Sequence, residues 1–176
     1  DAGHIALNSG IAGGADIILI PEIPYSMISI KKHIEKIRSR GRNHALVVVS
    51  EAVKKEDGSK AKIKYVDGQV RLGGIGAYLG DEIYRLTNAE TRVTVLGHVQ
   101  RGAQPSHRDR LIASAFGVYA VDLIAKEKFN RIVVWQNRGV TDIDINSIAG
   151  KSQTISEYDP LIKVAQALDI YVGEIN

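Results

Sequence analysis

His98 and Arg101 lie three positions apart in the run Thr91-Arg92-Val93-Thr94-Val95-Leu96-Gly97-His98-Val99-Gln100-Arg101-Gly102. An imidazole and a guanidinium this close together suit the grip of an anionic small molecule, because both donate charge-assisted hydrogen bonds. Val93-Thr94-Val95 is a β-branched run that predicts a strand, broken at Gly97, and it delivers both groups onto a polar loop. In an open α/β sheet the ligand crevice lies beyond the carboxyl ends of the strands, which is where this loop falls. Position alone favours two ordinary surface groups of a strand-to-helix loop. Glu51 follows a second strand at the same carboxyl edge. A carboxylate that accepts from sugar hydroxyls, beside a cationic pair that holds a phosphate, makes a sensible sugar-phosphate site. Alone, Glu51 would be a solvated strand-end residue.

Arg92 shares strand parity with His98 but stands six positions before it, roughly 20 Å at about 3.3 Å per residue. One phosphate cannot reach both from one subunit. Arg92 is therefore either unrelated to the site or serves a second site belonging to a neighbouring chain. Arg40, Arg42 and His44 form another cationic cluster, at the amino end of the strand that finishes near Glu51. They read either as an anion site or as a basic helix C-terminus that complements the macrodipole.

The elements that must position these groups can be read from hydrophobic spacing. Ile5 to Gly10 reads as the end of a short helix closed by Gly13-Gly14. Ala15 to Ile20 is a continuous apolar run between glycines and Pro21, which predicts a buried parallel strand. Ile28 to Arg40 carries Ile30, Ile34 and Ile37 at helical spacing, and Ala45 to Val49 predicts the second buried strand. Lys54 to Gly68 is charged and turn-rich, which predicts an exposed β-hairpin with Lys60 to Val66 pairing locally. Further helices are expected over Ile75 to Leu86, Arg108 to Lys126 (with Ser106 as N-cap) and Pro160 to Leu168. A fourth strand is expected over Ile132 to Trp135, and an irregular or short helical piece over Ile143 to Ala149. Alternating strands and helices predict an α/β fold with a parallel sheet flanked by helices in three layers.

The residues that carry chemistry also carry a likeness. Thr91 to Gly102 resembles the ETRxTVLGHxQRGG signature of the phosphofructokinases. Gly10-Ile11-Ala12-Gly13-Gly14-Ala15-Asp16 with Ile20-Pro21-Glu22 resembles that family's AGGAD…PE run, and Ser50-Glu51 its (T/S)E. The likeness runs in order over about residues 1 to 135. Lys54 to Gly76 resembles an insertion of the mixed-substrate branch, some of whose members use pyrophosphate. The resemblance implies phosphoryl transfer from ATP, or from pyrophosphate, to the 1-hydroxyl of fructose 6-phosphate in glycolysis. It makes Glu51 a ligand of the sugar hydroxyls, His98 and Arg101 ligands of the 6-phosphate and sugar, and Arg92 an arginine lent to the adjacent subunit, hence a homodimer or homotetramer. It likewise makes Gly14, Asp16, Arg40, Arg42 and His44 candidates for binding a phosphorylated effector, with Asp16 near its Mg²⁺. The mixed-substrate branch often lacks that regulation.

Phosphoryl transfer also needs a donor cradle, Mg²⁺ ligands and a base. The family supplies these from a Gly-Gly-Asp-Gly-(Ser/Asp) loop and a Thr-x-Asp-x-Asp segment, and neither occurs in this sequence. No catalytic residue and no resident metal ligand is therefore expected here, and Mg²⁺ is expected to be bound mainly by another half. Asp1-Ala2-Gly3-His4 has no initiator Met, while the matching family region follows a whole nucleotide-binding half. The expectation is that residues 1–176 are the fructose 6-phosphate-binding portion of a longer enzyme and are inactive alone. A sugar-phosphate-binding regulatory module, and a bare α/β scaffold, are the alternatives.

Composition excludes several other classes. The 176 residues, 44% of them hydrophobic, suffice for one ordinary core. The absence of cysteine excludes disulfides and thiolate metal sites and fits a reducing cytoplasm. No apolar run approaches a membrane span, and a formal charge of +3 with interleaved acids argues against nucleic acid. Gly74-Ile75-Gly76-Ala77-Tyr78-Leu79-Gly80 imitates a dinucleotide fingerprint but lacks its strand and acid, so helix entry and close packing are expected of it. There is no G-x-x-x-x-G-K-[ST] loop. His4, His33 and His107 lack metal-ligand spacing and read as structural or solvated.

Overall fold

The computed structural model describes residues 2–64, 70–72 and 74–175. They form two compact units, Asp1–Val95 with Gln153–Asn176, and Leu96–Ser152.

The first unit is built on strand β1 (Ile17–Leu19), which is buried along its whole length. It pairs in parallel with β2 (Val47–Val49), in the register Ile17 to Val47, Ile18 to Val48 and Leu19 to Val49. On its other side Ile17 makes a parallel bridge to Tyr171. Because side chains alternate along a strand, β1 feeds two cores. Ile18, with Ile20 beyond it, packs with Leu7 of α1 (His4–Ala12) and Ile162 of α5 (Pro160–Ala167). Ile17 and Leu19 pack with Ile30 and Ile34 of α2 (Met27–Ser39) and Leu79 of α3 (Ile75–Thr87). Helices thus cover both faces of a parallel pair, as the α/β reading requires.

Local chemistry sets the boundaries. The α1 helix closes where Gly13 donates to Ser9 O at 2.8 Å and Gly14 turns left-handed with φ 69°. Ser26 caps α2 by accepting from the Ser29 amide at 3.4 Å. Gly74 enters α3 with φ 81°. Gly76 and Gly80 face Val93 so closely that an added Cβ would lie 3.1 and 2.9 Å from its methyls. The glycine run therefore serves helix entry and close packing. Glu22 accepts both the Gly3 amide (3.0 Å) and the Ile155 amide (3.1 Å), tying three distant segments together.

Several expectations need correction. Val93-Thr94-Val95 is not a strand, since residues 88–96 carry no ladder. β-branched side chains favour an extended backbone, but a strand needs a partner to pair with, and none is present among the described residues. Lys54 to Gly68 is not one hairpin. Its Asp57-Gly58 turn closes a bridge between Lys54 and Lys60. Lys62–Lys64 (β3) then pairs antiparallel with β4 (Val70–Leu72), beyond the expected partner. Tyr65, Val66, Asp67 and Gly68 lie outside the described residues.

In the second unit, α4 (His107–Ala125) opens with a capping box in which Ser106 and Asp109 satisfy each other's backbone amides. The expected fourth strand is β5 (Arg131–Gln136), but it pairs antiparallel with β6 (Gly139–Asp144), most of which was assigned no element from the sequence. Asn137 and Arg138 join them with φ 51° and 63°, the left-handed pair of a type I′ turn. A 3₁₀ turn over Ile145–Ser147 follows. Helix α4 is stapled to this hairpin at Asp142, which accepts from Tyr119 Oη at 2.7 Å and from Arg131 Nε at 2.5 Å. No helix among the described residues is long and apolar enough to cross a membrane.

Two measurements test this account. Gly173 has φ 107°, and a Cβ there would come within 2.5 Å of Pro24 O. Gly173→Ala is expected to cost about 1–3 kcal/mol in urea unfolding, since both strain and backbone overlap must be relieved. The Tyr119 hydroxyl and the Arg131 guanidinium hold the Asp142 carboxyl below its ordinary range. A depressed carboxyl stabilises the fold at neutral pH and loses that contribution as pH falls below about 5. Asp142→Asn is expected to lower melting temperature at pH 7 and to flatten its fall towards acid.

Candidate functional site

The residues singled out for acceptor binding divide between the two units. Glu51 occupies the turn that follows β2, at the carboxyl edge of the parallel pair, and is exposed. Arg92 lies on the extended segment after α3, where its Nη2 pairs with Glu90 Oε1 at 3.0 Å and both side chains are largely exposed. In the second unit the expected loop is a 3₁₀ turn, Gly97–Arg101, with a left-handed Gly97 (φ 50°) opening it. Both His98 and Arg101 are exposed on this turn. At three residues per turn, groups three apart stack on one side of a 3₁₀ helix, so the imidazole and the guanidinium share a face. Behind them Ser106 fixes the start of α4. The unit thereby places two hydrogen-bond donors on a short, backbone-defined platform.

The second cluster is the more enclosed. Arg42 grips Asp16 in a bidentate pair, with Nη1 to Oδ1 at 2.7 Å and Nη2 to Oδ2 at 3.0 Å. Asp16 Oδ2 also accepts the Leu46 amide at 2.8 Å, and the residue is only 8% exposed. Lys36 Nζ and Arg40 Nη1 both donate to Asp169, at 2.5 and 2.6 Å. Asp16, His33, Ile37, Arg40, Arg42, Leu168 and Asp169 line a cavity of about 130 Å³. A neighbouring cavity of about 210 Å³ shares His33 and Asp169 and extends to Tyr171 and Gly173. Burial pushes the His33 imidazole below its ordinary range. It also pushes the Tyr171 hydroxyl up to about 12.

Of the five residues expected to bind an effector, Asp16, Arg40 and Arg42 line this cavity, whereas Gly14 and His44 do not. The Asp16 carboxylate serves Arg42 and the Leu46 amide. Among the described residues no group of three or more His, Asp or Glu is disposed to hold a metal ion. His33 lines both cavities, Lys36 is joined to their edge through Asp169, and sequence reading had given neither a role at a site. Their signal was present in α2, because residues 33, 36, 37 and 40 fall on one helical face. Asp169 carried no such signal. It lies 133 residues from Lys36, and only the packing of α5 brings it there.

Comparison with known proteins bears on this geometry. The pattern described as phosphofructokinase matches residues 1–124, a span that holds Glu51, Arg92, His98 and Arg101. An ATP-dependent 6-phosphofructokinase 1 of Nostoc sp. is 52% identical over 174 residues, covering 99% of this chain and 48% of the relative. The protein of the same name from Synechocystis sp. is 51% identical over 98% of this chain and 48% of its own length. The ATP-dependent 6-phosphofructokinase of Chloroflexus aurantiacus is 35% identical, with 98% and 47% covered. The chain spans about half the length of the curated relatives it matches. A pattern that takes in the cationic turn and most of the first unit, and relatives aligned from one end of the chain to the other, place this chain in the phosphofructokinase family.

Proposed function

We propose that this chain is the acceptor-binding portion of a 6-phosphofructokinase, which moves the terminal phosphoryl group of ATP to the 1-hydroxyl of fructose 6-phosphate. The observation that carries the reading is the cationic turn Gly97–Arg101, exposed and inside the span matched by the family. Arg101 and His98 would donate to the 6-phosphate and the sugar, and Glu51 would accept from sugar hydroxyls. Arg92, solvated apart from its pair with Glu90, would serve a neighbouring subunit of a homodimer or homotetramer. The relatives are ATP-dependent by name, which favours ATP over pyrophosphate as donor. A divalent ion such as Mg²⁺ would arrive with the donor phosphates. Such a reaction belongs in the cytoplasm.

A second reading concerns the other end of β2. The cavity that holds Arg40, Arg42 and Asp16 supports an anion-binding role there, of the kind that a phosphorylated effector would use.

Calorimetric titration of fructose 6-phosphate into the purified chain tests the first reading. Saturable binding is expected, weakened roughly 10- to 100-fold in Arg101→Ala, the usual worth of a hydrogen bond to a charged group. Equal binding by Arg101→Ala would overturn the assignment. Turnover of ATP and fructose 6-phosphate by the chain alone would overturn its standing as only a portion of the enzyme.

A further inference from the structure

Asp169 sits where local chemistry argues against an aspartate. It follows the end of α5, where the Ile170 amide reaches Ala165 O (2.9 Å) and the Asp169 amide reaches Gln166 O (3.0 Å). This is a Schellman closure, and its left-handed position normally takes glycine or asparagine. Asp169 adopts φ 61° there. It also places a negative charge at the negative end of a helix dipole. What offsets both costs is a pair of cations, Lys36 of α2 and Arg40 just past its end, which its carboxylate bridges. The result is a carboxylate at the wall of a cavity whose other polar lining includes Arg40 and Arg42.

We propose that Asp169 is a built-in competitor at this cavity: its carboxylate occupies the place across Lys36 and Arg40 that an anionic ligand takes. The inference rests on reading the cavity as an anion site. A tethered carboxylate acts at high effective concentration, so the two cations are free for only a fraction of the time. Every anion that must displace Asp169 has its affinity reduced by that fraction. A single carboxylate from solution merely replaces one like itself and gains nothing against the loss of its own freedom. A phosphate with two charges, or pyrophosphate, brings more charge and more acceptor oxygens to the same cations. Asp169 thereby sets a threshold that admits multiply charged phosphates and turns away simple carboxylates. The Arg42–Asp16 pair does not share this freedom, because Asp16 is buried and also holds the Leu46 amide. Arg42 stays fixed while the Lys36–Arg40 side opens.

Asp169→Asn is the direct test, since asparagine tolerates the left-handed backbone and keeps the shape of the side chain. Inorganic pyrophosphate and acetate would be titrated into the chain by calorimetry at low ionic strength. The variant is expected to bind pyrophosphate roughly three- to tenfold more tightly than the unaltered chain. Acetate is expected to bind the variant only, and Arg40→Ala to lose pyrophosphate binding. If the unaltered chain binds pyrophosphate through Arg40 and Asp169→Asn binds it equally or less well, the competitor role fails and the anion site stands. If neither form binds, or if Arg40→Ala changes nothing, the anion-site reading fails and takes the competitor role with it.

Discussion

Asp16 is the residue on which the first unit turns. Its amide donates to Leu46 O at 2.9 Å, and its carbonyl accepts the Tyr171 amide at 3.0 Å. The backbone of one residue therefore holds both neighbours of the central strand at their starting edge. Its carboxylate then binds the Leu46 amide and both nitrogens of the Arg42 fork. A nearly buried carboxylate is costly unless its lone pairs are filled, and here three donors fill them. The starting edge of the strands and the aim of the Arg42 guanidinium are consequences of one residue. The two clusters of interest stand at opposite ends of β2, Arg42 and His44 before it and Glu51 after it, and the rigid pair of strands keeps them apart.

The second unit solves its stability problem differently. Among its described residues only Leu123 is buried, so it has little core to draw on. Local devices carry it instead: the Ser106–Asp109 box, the type I′ turn at Asn137-Arg138, and Asp142 clamped between Tyr119 and Arg131. Leu111, Val118, Val121 and Ile124 leave much of α4 apolar and uncovered. The turn that presents His98 and Arg101 is thus set by backbone geometry and capping more than by packing.

What could be read from the residues themselves follows from how local each signal is. The Ile17-to-Ile20 run between Gly-Gly and Pro, the isoleucines of α2 and the Ser106 cap each act within a few positions, and each element appeared within a residue or two of its expected bounds. Val93-Thr94-Val95 failed because propensity fixes a backbone shape and not a partner. The β5–β6 hairpin was missed because Asn137-Arg138 lacks the glycine that usually marks a left-handed pair. At the candidate sites, Arg40 at the end of α2 and Arg42 and His44 ahead of β2 could be seen as a cluster. The carboxylate that meets Lys36 and Arg40 could not, since it comes from the far end of the chain and is brought there only by tertiary packing.

The first unit is also interrupted. Its sheet begins with residues before Val95 and is finished by Tyr171, while the whole of the second unit lies between them in sequence. During synthesis β1 must therefore wait, one edge still unpaired, until Tyr171 has been made. Exposed edges of this kind invite wrong pairing. Folding of this unit is therefore timed by the arrival of the segment that carries Tyr171, and a chain released before it would present a nascent strand with half its ladder missing.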